Sequence, residues 1–321
     1  MNDSQCSIFR DLSNSFEYHL LTAVKGVLCT VGGLRICMQW KHYGVRFLVH
    51  ENTKILFRFY LALNIVICLI FGSMHLFELI RLRYECFLLD FRYILLTRGF
   101  GLATIYGSQH LMLLLSFERL YSAVFPAHFE RQSSLCLSIS LAVITVIGTF
   151  TYGMMQLSNN FRMFHGRPIF VALLNLNIPL NQLGFDNLVS KMAISNSVAL
   201  ITLCMDFYIN YLRKAKISPS LAVSYQITEN RRIVLTLIPI ELTQTALGLF
   251  TGVTLMIHKN LISNPTPIEH QVFHESVTLS VCFPLILTFL IKHSAERNLN
   301  RPRPMDPAVD HFDELRKSWN K

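Results

Sequence analysis

A pair of opposite charges interrupts a long apolar run near the middle of this sequence. Glu118 and Arg119 stand side by side in LLSFERLYSAVFP, where most other side chains are apolar, and Pro126 follows seven residues after the arginine. At the end of a membrane helix, an arginine can extend its guanidinium toward water while a neighbouring carboxylate partners it. The simplest role for the pair is therefore an anchor at the membrane interface.

A second group of polar residues is predicted near the opposite membrane face. Arg98 precedes Arg119 by 21 residues, which corresponds to about 31 Å along an α-helix. Arg98, Leu102 and Tyr106 are spaced by four residues, so we expect them to share one helix face. These three residues are candidates for contact with a ligand.

Three more ligand candidates fall at the same predicted level. Lys191 begins the fifth apolar run, Glu275 begins the seventh, and His75 lies near the outer end of the second. A vestibule with two cations and one carboxylate could receive an anionic or polar ligand. In the alternative interpretation, Arg98 pairs with Glu275 or with lipid headgroups and is purely structural. His75 and Glu78 lie one turn apart, but a metal site needs more ligands than these, so no metal is predicted.

The composition indicates a membrane protein. Of the 321 residues, 52% are hydrophobic and 15% are charged, whereas a soluble domain carries about 25% charged residues. A helix needs about 20 largely apolar residues to cross a bilayer, so the sequence predicts an all-α membrane protein, a seven-transmembrane helix bundle. The predicted spans are Phe16–Gln39, Ile55–Leu79, Tyr93–Phe125, Leu135–Leu157, Leu188–Leu212, Ile233–Ile257 and Val272–Ile291.

The distribution of Lys and Arg predicts the orientation of the bundle. With the N-terminus outside, seventeen of these residues fall in cytoplasmic segments and seven in outer segments. Because positive residues favour the cytoplasmic side, we expect an extracellular N-terminus over 1–15, a seven-helix domain over 16–292 and a cytoplasmic tail over 293–321. In that tail, Phe312, Leu315 and Trp319 predict a short amphipathic helix that contacts membrane lipid.

Several function classes are disfavoured by the sequence. It contains no zinc-ligand spacing, phosphate-binding loop or dinucleotide fingerprint, so no cofactor is predicted. The net charge of +9 arises mainly in short connections between apolar blocks, which indicates membrane topology and not nucleic-acid binding. No paired Asp or Ser–His group falls at one depth, so an enzyme is not expected.

Polar residues also occur deep inside the predicted spans. Such residues most often join helices by hydrogen bonds, worth about 1 kcal/mol each, and ion binding is the alternative. The residues concerned are Asn64, Asn196, Asp206, Glu241 and Gln244.

Motifs along most of the chain resemble one receptor family. They are HENTK at 50–54, FERLYSAVFPAHFERQSS at 117–134, YQITEN at 225–230, Pro284 in the seventh span, and DHFDELRKSW at 310–319. Together they resemble the nematode chemosensory serpentine receptors of the Sra superfamily. The alpha/beta (Srab) class is most similar, and the Sra and Sre classes are near alternatives.

This resemblance implies a G-protein-coupled receptor in the plasma membrane of sensory-neuron cilia. A small odorant or pheromone-like ligand would bind in the outer half of the bundle, and a heterotrimeric G protein at the cytoplasmic face. The Glu118–Arg119 segment is similar to the acidic–Arg–aromatic switch of rhodopsin-like receptors, and Glu229 is a candidate second partner for Arg119. The match is incomplete, because Leu120 stands where those receptors carry Tyr and no Asn-Pro-x-x-Tyr motif is present.

Two other functions stay open. A seven-helix ligand-gated channel or transporter would be expected to have internal repeats, broken helices or a charged pore lining, and the sequence predicts none of these. A receptor-like scaffold that never signals would tolerate substitution of Arg119 without a change in signalling.

The cysteines predict one extracellular bond. Among the eight cysteines, Cys6 and Cys86 are the two that fall in predicted extracellular segments, where the environment is oxidising. We expect a disulfide between them that ties the N-terminal segment over the first outer loop, beside Arg98. In the alternative, both thiols are free.

Overall fold

The computed structural model describes residues 2–40, 51–126, 135–163, 170–171, 182–215, 221–261 and 266–299. The predicted tail helix with Phe312, Leu315 and Trp319 lies outside these residues.

Two short strands, β1 (Leu89–Asp90) and β2 (Phe170–Val171), pair antiparallel, and a 3₁₀ turn covers Ser280–Cys282. The helices are α1 (Asn2–Asn14), α2 (Phe16–Trp40), α3 (Glu51–Arg81), α4 (Phe91–Val124), α5 (Leu135–Met163), α6 (Gln182–Ala215), α7 (Leu221–Leu261), α8 (Pro267–Val277) and α9 (Phe283–Leu299).

Seven helical segments are long and apolar enough to cross a membrane. They confirm the predicted all-α seven-helix bundle and indicate that the protein is membrane-embedded. Six of the segments lie in α2 to α7, and the seventh combines α8, the 3₁₀ turn and α9. We name the two ends of the bundle after the predicted orientation: the inner end holds Glu118 and Arg119, and the outer end holds α1 and β1.

Helix α4 lies at the centre of the bundle. It packs against α3, α5 and α6 and also contacts α7. Leu111, Met112 and Leu115 of this helix are fully buried within the main hydrophobic core. Side chains of α4 can therefore reach several neighbouring helices at once.

The seventh span is broken near its middle. Helix α8 ends at Val277, the 3₁₀ turn follows, and α9 has Pro284 as its second residue. Proline lacks a backbone N–H, and its ring crowds the carbonyl of the residue four positions earlier, here Ser280 in the 3₁₀ turn, so a continuous α-helix is disfavoured at that point. The hydroxyl of Thr251 in α7 donates to the carbonyl of Val277 at 2.9 Å, so a neighbouring helix satisfies part of the opened backbone. The prediction that no helix is broken was wrong.

Helix α1 covers part of the outer end. Its side chains Phe9 and Leu12 are fully buried and pack with Leu82, which follows α3. Cys6 of α1 forms a disulfide with Cys86, and their Cα atoms are 5.3 Å apart. This is the pairing expected from the sequence, and it fixes the N-terminal helix over the first outer loop.

Glycines permit some of the close helix contacts. In lipid, association of helices depends on close packing because apolar side chains gain little by moving from lipid to protein. A Cβ placed on Gly32 of α2 would lie 3.0 Å from the backbone nitrogen of Leu285 in α9. A Cβ on Gly148 of α5 would meet nothing within 4 Å.

We expect Gly32→Ala to lower the thermal stability of the bundle, since the added methyl group presses on the backbone of α9. Overpacking of this kind costs about 1–3 kcal/mol. Gly148→Ala is the matched control, because the same methyl group enters open space. Thermal unfolding of the two detergent-solubilised variants measures the difference, and equal midpoints would contradict the close contact.

Candidate functional site

Arg119 is enclosed at the inner end and neutralised by its own helix. The residue is only 1% exposed. Its Nε donates to Glu118 Oε2 at 2.6 Å, and its Nη2 donates to Glu118 Oε1. This bidentate geometry strengthens the ion pair. The hydroxyl of Thr53 in α3 donates to Glu118 Oε1 at 3.1 Å. Glu118 and Arg119 therefore neutralise each other, as predicted for the pair, and a hydrogen bond from α3 fixes the Glu118 carboxylate.

The polar chain continues from Arg119 into α6 and α7. Arg119 Nη1 donates to Asn230 Oδ1 of α7 at 3.4 Å, and Asn230 Nδ2 donates to Asp206 Oδ1 of α6 at 2.9 Å. Asn210 donates to the same Asp206 oxygen. The network therefore joins α3, α4, α6 and α7, and the link between Arg119 and Asn230 is its longest side-chain contact.

The described contact of Arg119 on α7 is made by the residue that follows the predicted partner Glu229. Glu229 is buried next to the network, but the hydrogen bond described between α7 and Arg119 is made by the following residue, Asn230. Asp206 was expected to form interhelical hydrogen bonds, and its bond from Asn230 agrees with that expectation. A carboxamide can donate and accept at once, so Asn230 connects the guanidinium to the carboxylate.

Arg213 supplies a second connection at the inner end. It donates from α6 to the carbonyl oxygens of Ala123 and Val124, the latter at 2.9 Å. These carbonyls lie at the end of α4, where no further turn of helix can satisfy them. A cation is favoured at a helix C-terminus, so Arg213 holds the end of α4 against α6. In the sequence, Arg213 stood out only as one of several basic residues near a loop.

At the outer end, Glu275 is paired with a lysine that was not considered as its partner. Lys25 Nζ of α2 lies 2.6 Å from Glu275 Oε2 of α8, and the two side chains are 5% and 4% exposed. The structure describes the backbone of Arg98 but not its side chain. Glu275 is therefore neutralised within the protein by Lys25, and the predicted pairing of Arg98 with Glu275 lies outside the described side chains.

Glu78 is also occupied by protein partners. Arg81 Nε donates to Glu78 Oε2 at 2.7 Å and Arg81 Nη2 to Glu78 Oε1 at 2.6 Å. The hydroxyl of Tyr18 donates to Glu78 Oε1 at 3.1 Å. His75 is buried where α3 meets α2, because a Cβ on Gly26 would lie 3.5 Å from its Cβ. Among the residues that the structure describes, no group of three potential ligands could hold a metal.

Of the remaining ligand candidates, Tyr106 and Lys191 meet at Tyr152 of α5, whereas Leu102 lies elsewhere. Leu102 lines a cavity inside the bundle, whereas the ring of Tyr106 lies 5.9 Å from the ring of Tyr152 in α5. Lys191 is exposed and donates to the Tyr152 hydroxyl at 2.5 Å. Each four-residue step turns by about 40° around a helix, which moves Tyr106 away from the direction of Leu102. The vestibule of two cations and one carboxylate is therefore not formed by the described side chains.

The cavity lies between α3, α4, α6, α7 and the broken seventh span. Its volume is about 100 Å³. Phe283 and Pro284 contribute walls at the break, and none of the described lining residues is ionisable. Cavities between the helices of a bundle are frequent ligand sites, so this space replaces the charged vestibule as the candidate binding site.

Gln244 and Glu241, two polar residues named from the sequence, differ in their hydrogen bonding. Gln244 Oε1 accepts a hydrogen bond from the Tyr60 hydroxyl at 3.0 Å, so it joins α7 to α3 as expected. Glu241 is fully buried on the same helix, and Thr245, one turn later, is the described side chain that can donate to its carboxylate. Gln109, which also lines the cavity, was not named from the sequence, although a polar residue within an apolar span was its visible signal.

In comparisons with known proteins, no family model matches this sequence and no curated protein matches it at a significant level. The resemblance to the Sra superfamily therefore depends on the sequence motifs alone.

We expect Lys25→Met to destabilise the protein by about 3–5 kcal/mol, because it leaves Glu275 buried without its counter-charge. The double variant Lys25→Met/Glu275→Leu should regain most of that loss, since both charges are then absent. Thermal unfolding and surface expression of the two variants measure this. A double variant as unstable as the single one would show that the pair is not the source of the effect.

Proposed function

We propose that this protein is a seven-helix chemosensory receptor of the G-protein-coupled type, similar to the nematode Sra superfamily. It binds a small environmental molecule, an odorant or pheromone-like compound, in the outer half of the bundle and couples to a heterotrimeric G protein at the cytoplasmic face. The proposed location is the plasma membrane of sensory-neuron cilia. No catalytic step is assigned to it.

The observation that carries this proposal is the enclosed arginine at the inner end. A buried guanidinium is costly unless it is neutralised, and Arg119 is neutralised by its neighbour Glu118. A purely interfacial anchor would extend its charge toward water, whereas Arg119 is 1% exposed. The residue is therefore held in a closed arrangement from which it can be released.

The pattern of contacts indicates where release would occur. Between α4 and α7, the network is joined by the 3.4 Å hydrogen bond from Arg119 to Asn230 and a second 3.4 Å bond from Asn230 to the Arg119 carbonyl. Both are near the limit for a hydrogen bond. A small outward movement of α7 would break them and leave the Glu118–Arg119 pair open to a partner.

A ligand would act by favouring this open arrangement. Ligands shift an equilibrium only through different affinities for its two states. The central cavity includes Gln244 and Gly248 of α7, the same helix that carries Asn230. Binding in the cavity can therefore change the preferred position of α7, and α7 transmits that change to the inner end.

The proposal predicts that Asn230→Ala activates G proteins without a ligand. Loss of a hydrogen bond worth about 0.5–1.5 kcal/mol favours the open arrangement by about two- to tenfold. The measurement is energy transfer between labelled G-protein subunits in cells that express the receptor with a panel of heterotrimers. Surface expression of each variant is measured in the same cells.

Two further variants make this test specific. Arg119→Ala/Asn230→Ala should abolish the added activity, because the group that meets the G protein is gone. Thr145→Ala is the matched control, since its hydroxyl bonds only within α5, to the carbonyl of Leu141. Unchanged basal activity in Asn230→Ala at normal surface expression, across the panel, would overturn the proposal.

The broken seventh span supports one alternative function. Discontinuous helices are typical of transporters, where they surround a substrate or ion near the middle of the membrane. The described cavity lining contains no charged residue, which disfavours an ion pathway there. A ligand-gated current in cells whose G proteins are inactivated would support the channel.

A further inference from the structure

Three buried carboxamides line the central cavity with an oxygen that the protein does not satisfy. Asn64, Gln109 and Asn196 come from α3, α4 and α6, and they are 0%, 4% and 1% exposed. The side-chain oxygen of each has no hydrogen-bond partner among the described residues. A buried acceptor left unpaired costs roughly 1–3 kcal/mol. Three such oxygens around one small space point to a ligand that donates hydrogen bonds.

The orientation of one amide is fixed by its other end. Asn64 Nδ2 donates to the carbonyl of Tyr60, one turn earlier in α3, at 2.9 Å. An amide nitrogen can donate and an amide oxygen can only accept. The unpaired atom of Asn64 is therefore an acceptor, which calls for a donor on the ligand.

The rest of the lining defines the body of the ligand. Leu102, Ile67 and Phe283 are among the apolar side chains around the amides, and none of the described lining residues is ionisable. A charged ligand would lose its hydration there without gaining a counter-charge. An apolar cavity of about 150 Å³ holds benzene, so a space of about 100 Å³ suits a smaller molecule.

We propose that this cavity binds a compact, uncharged molecule with an apolar body and at least one hydroxyl or other hydrogen-bond donor. This ligand class differs from the anionic ligand suggested by the sequence. The inference rests on the proposed receptor function for its biological meaning. Binding itself requires no G protein, so the two can be tested separately.

The cavity can be filled by one substitution with a matched control. Gly248 of α7 lines the cavity, and a Cβ placed there would lie 3.8 Å from Nδ2 of Asn196. A leucine at this position would therefore begin without a clash and extend into the binding space. Gly148 of α5 is exposed and has nothing within 4 Å of its Cβ position, so Gly148→Leu adds the same side chain on the outside of the bundle, away from the cavity.

The first experiment measures binding of a small fluorinated alcohol by fluorine NMR. The receptor in lipid nanodiscs is titrated with trifluoroethanol, which is smaller than benzene, and with trifluoroacetate as its anionic counterpart. The wild type and Gly148→Leu should broaden the alcohol resonance in a saturable way, and Gly248→Leu should weaken this binding at least about tenfold. Equal binding by the two leucine variants, or equal binding of the anion, would overturn the proposal.

The second experiment separates a ligand-binding amide from a structural one. Asn196→Leu should raise the unfolding midpoint of the free receptor, because it removes an unsatisfied buried polar group, and weaken trifluoroethanol binding about five- to 150-fold. A lowered midpoint would show that Asn196 is satisfied within the fold, and the proposal would fail. Alcohol binding without ligand-independent signalling by Asn230→Ala would preserve the binding site and reject the receptor function.

Discussion

A charge inside a lipid bilayer needs a partner on the protein, and where that partner belongs to another helix the pair also brings the two helices together. Three buried cations meet it within the described bundle: Lys25 pairs with Glu275, Arg81 with Glu78, and Arg119 with Glu118. The first pair is the most consequential because it joins α2 to α8. Since α2 also packs along α3, the ion pair brings the first and seventh spans together and closes the ring of helices.

The two ends of the bundle are held with different strength. The outer end has the Cys6–Cys86 disulfide, the Lys25–Glu275 pair and the packing of α1. At the inner end, α4 and α7 are joined through hydrogen bonds of 3.4 Å around Asn230. Since Arg213 ties α4 to α6 at this end, the movement that costs least there is that of α7 away from α4.

The helices could be predicted from the sequence because length and apolarity are local properties of a span. The disulfide could be predicted for a similar reason, since the predicted topology placed two cysteines in segments expected on the oxidising side, and these two are bonded. The pairing of side chains between helices could not be predicted from the sequence, because it depends on how each helix is rotated and on which helices surround it. The Lys25–Glu275 pair was therefore not foreseen, nor was the fact that Leu102 and Tyr106, one turn apart on α4, meet different neighbours. Asn210, whose importance comes only from Asp206 beside it, was missed.

The break in the seventh span could not be predicted from the sequence for the same reason. Its composition is that of an ordinary membrane helix, and Pro284 is one residue in an otherwise apolar run. Whether such a proline bends, breaks or merely begins a helix depends on whether a neighbour can satisfy the opened backbone. That neighbour is Thr251, and its position relative to Val277 is a product of the fold.

The Lys25–Glu275 pair also constrains how the chain is made. Its two members are 250 residues apart, and at about 5–20 residues per second the ribosome needs roughly 10–50 s to cover that distance. During this interval the first span is in or near the membrane with an ammonium group whose counter-charge has not been synthesised. Until the final span arrives, the nascent chain must keep Lys25 near lipid headgroups, water or the insertion machinery. A ribosome that stalls before the final span therefore leaves a chain with an exposed intramembrane charge, the kind of defect by which membrane quality control can tell an incomplete product from a finished one.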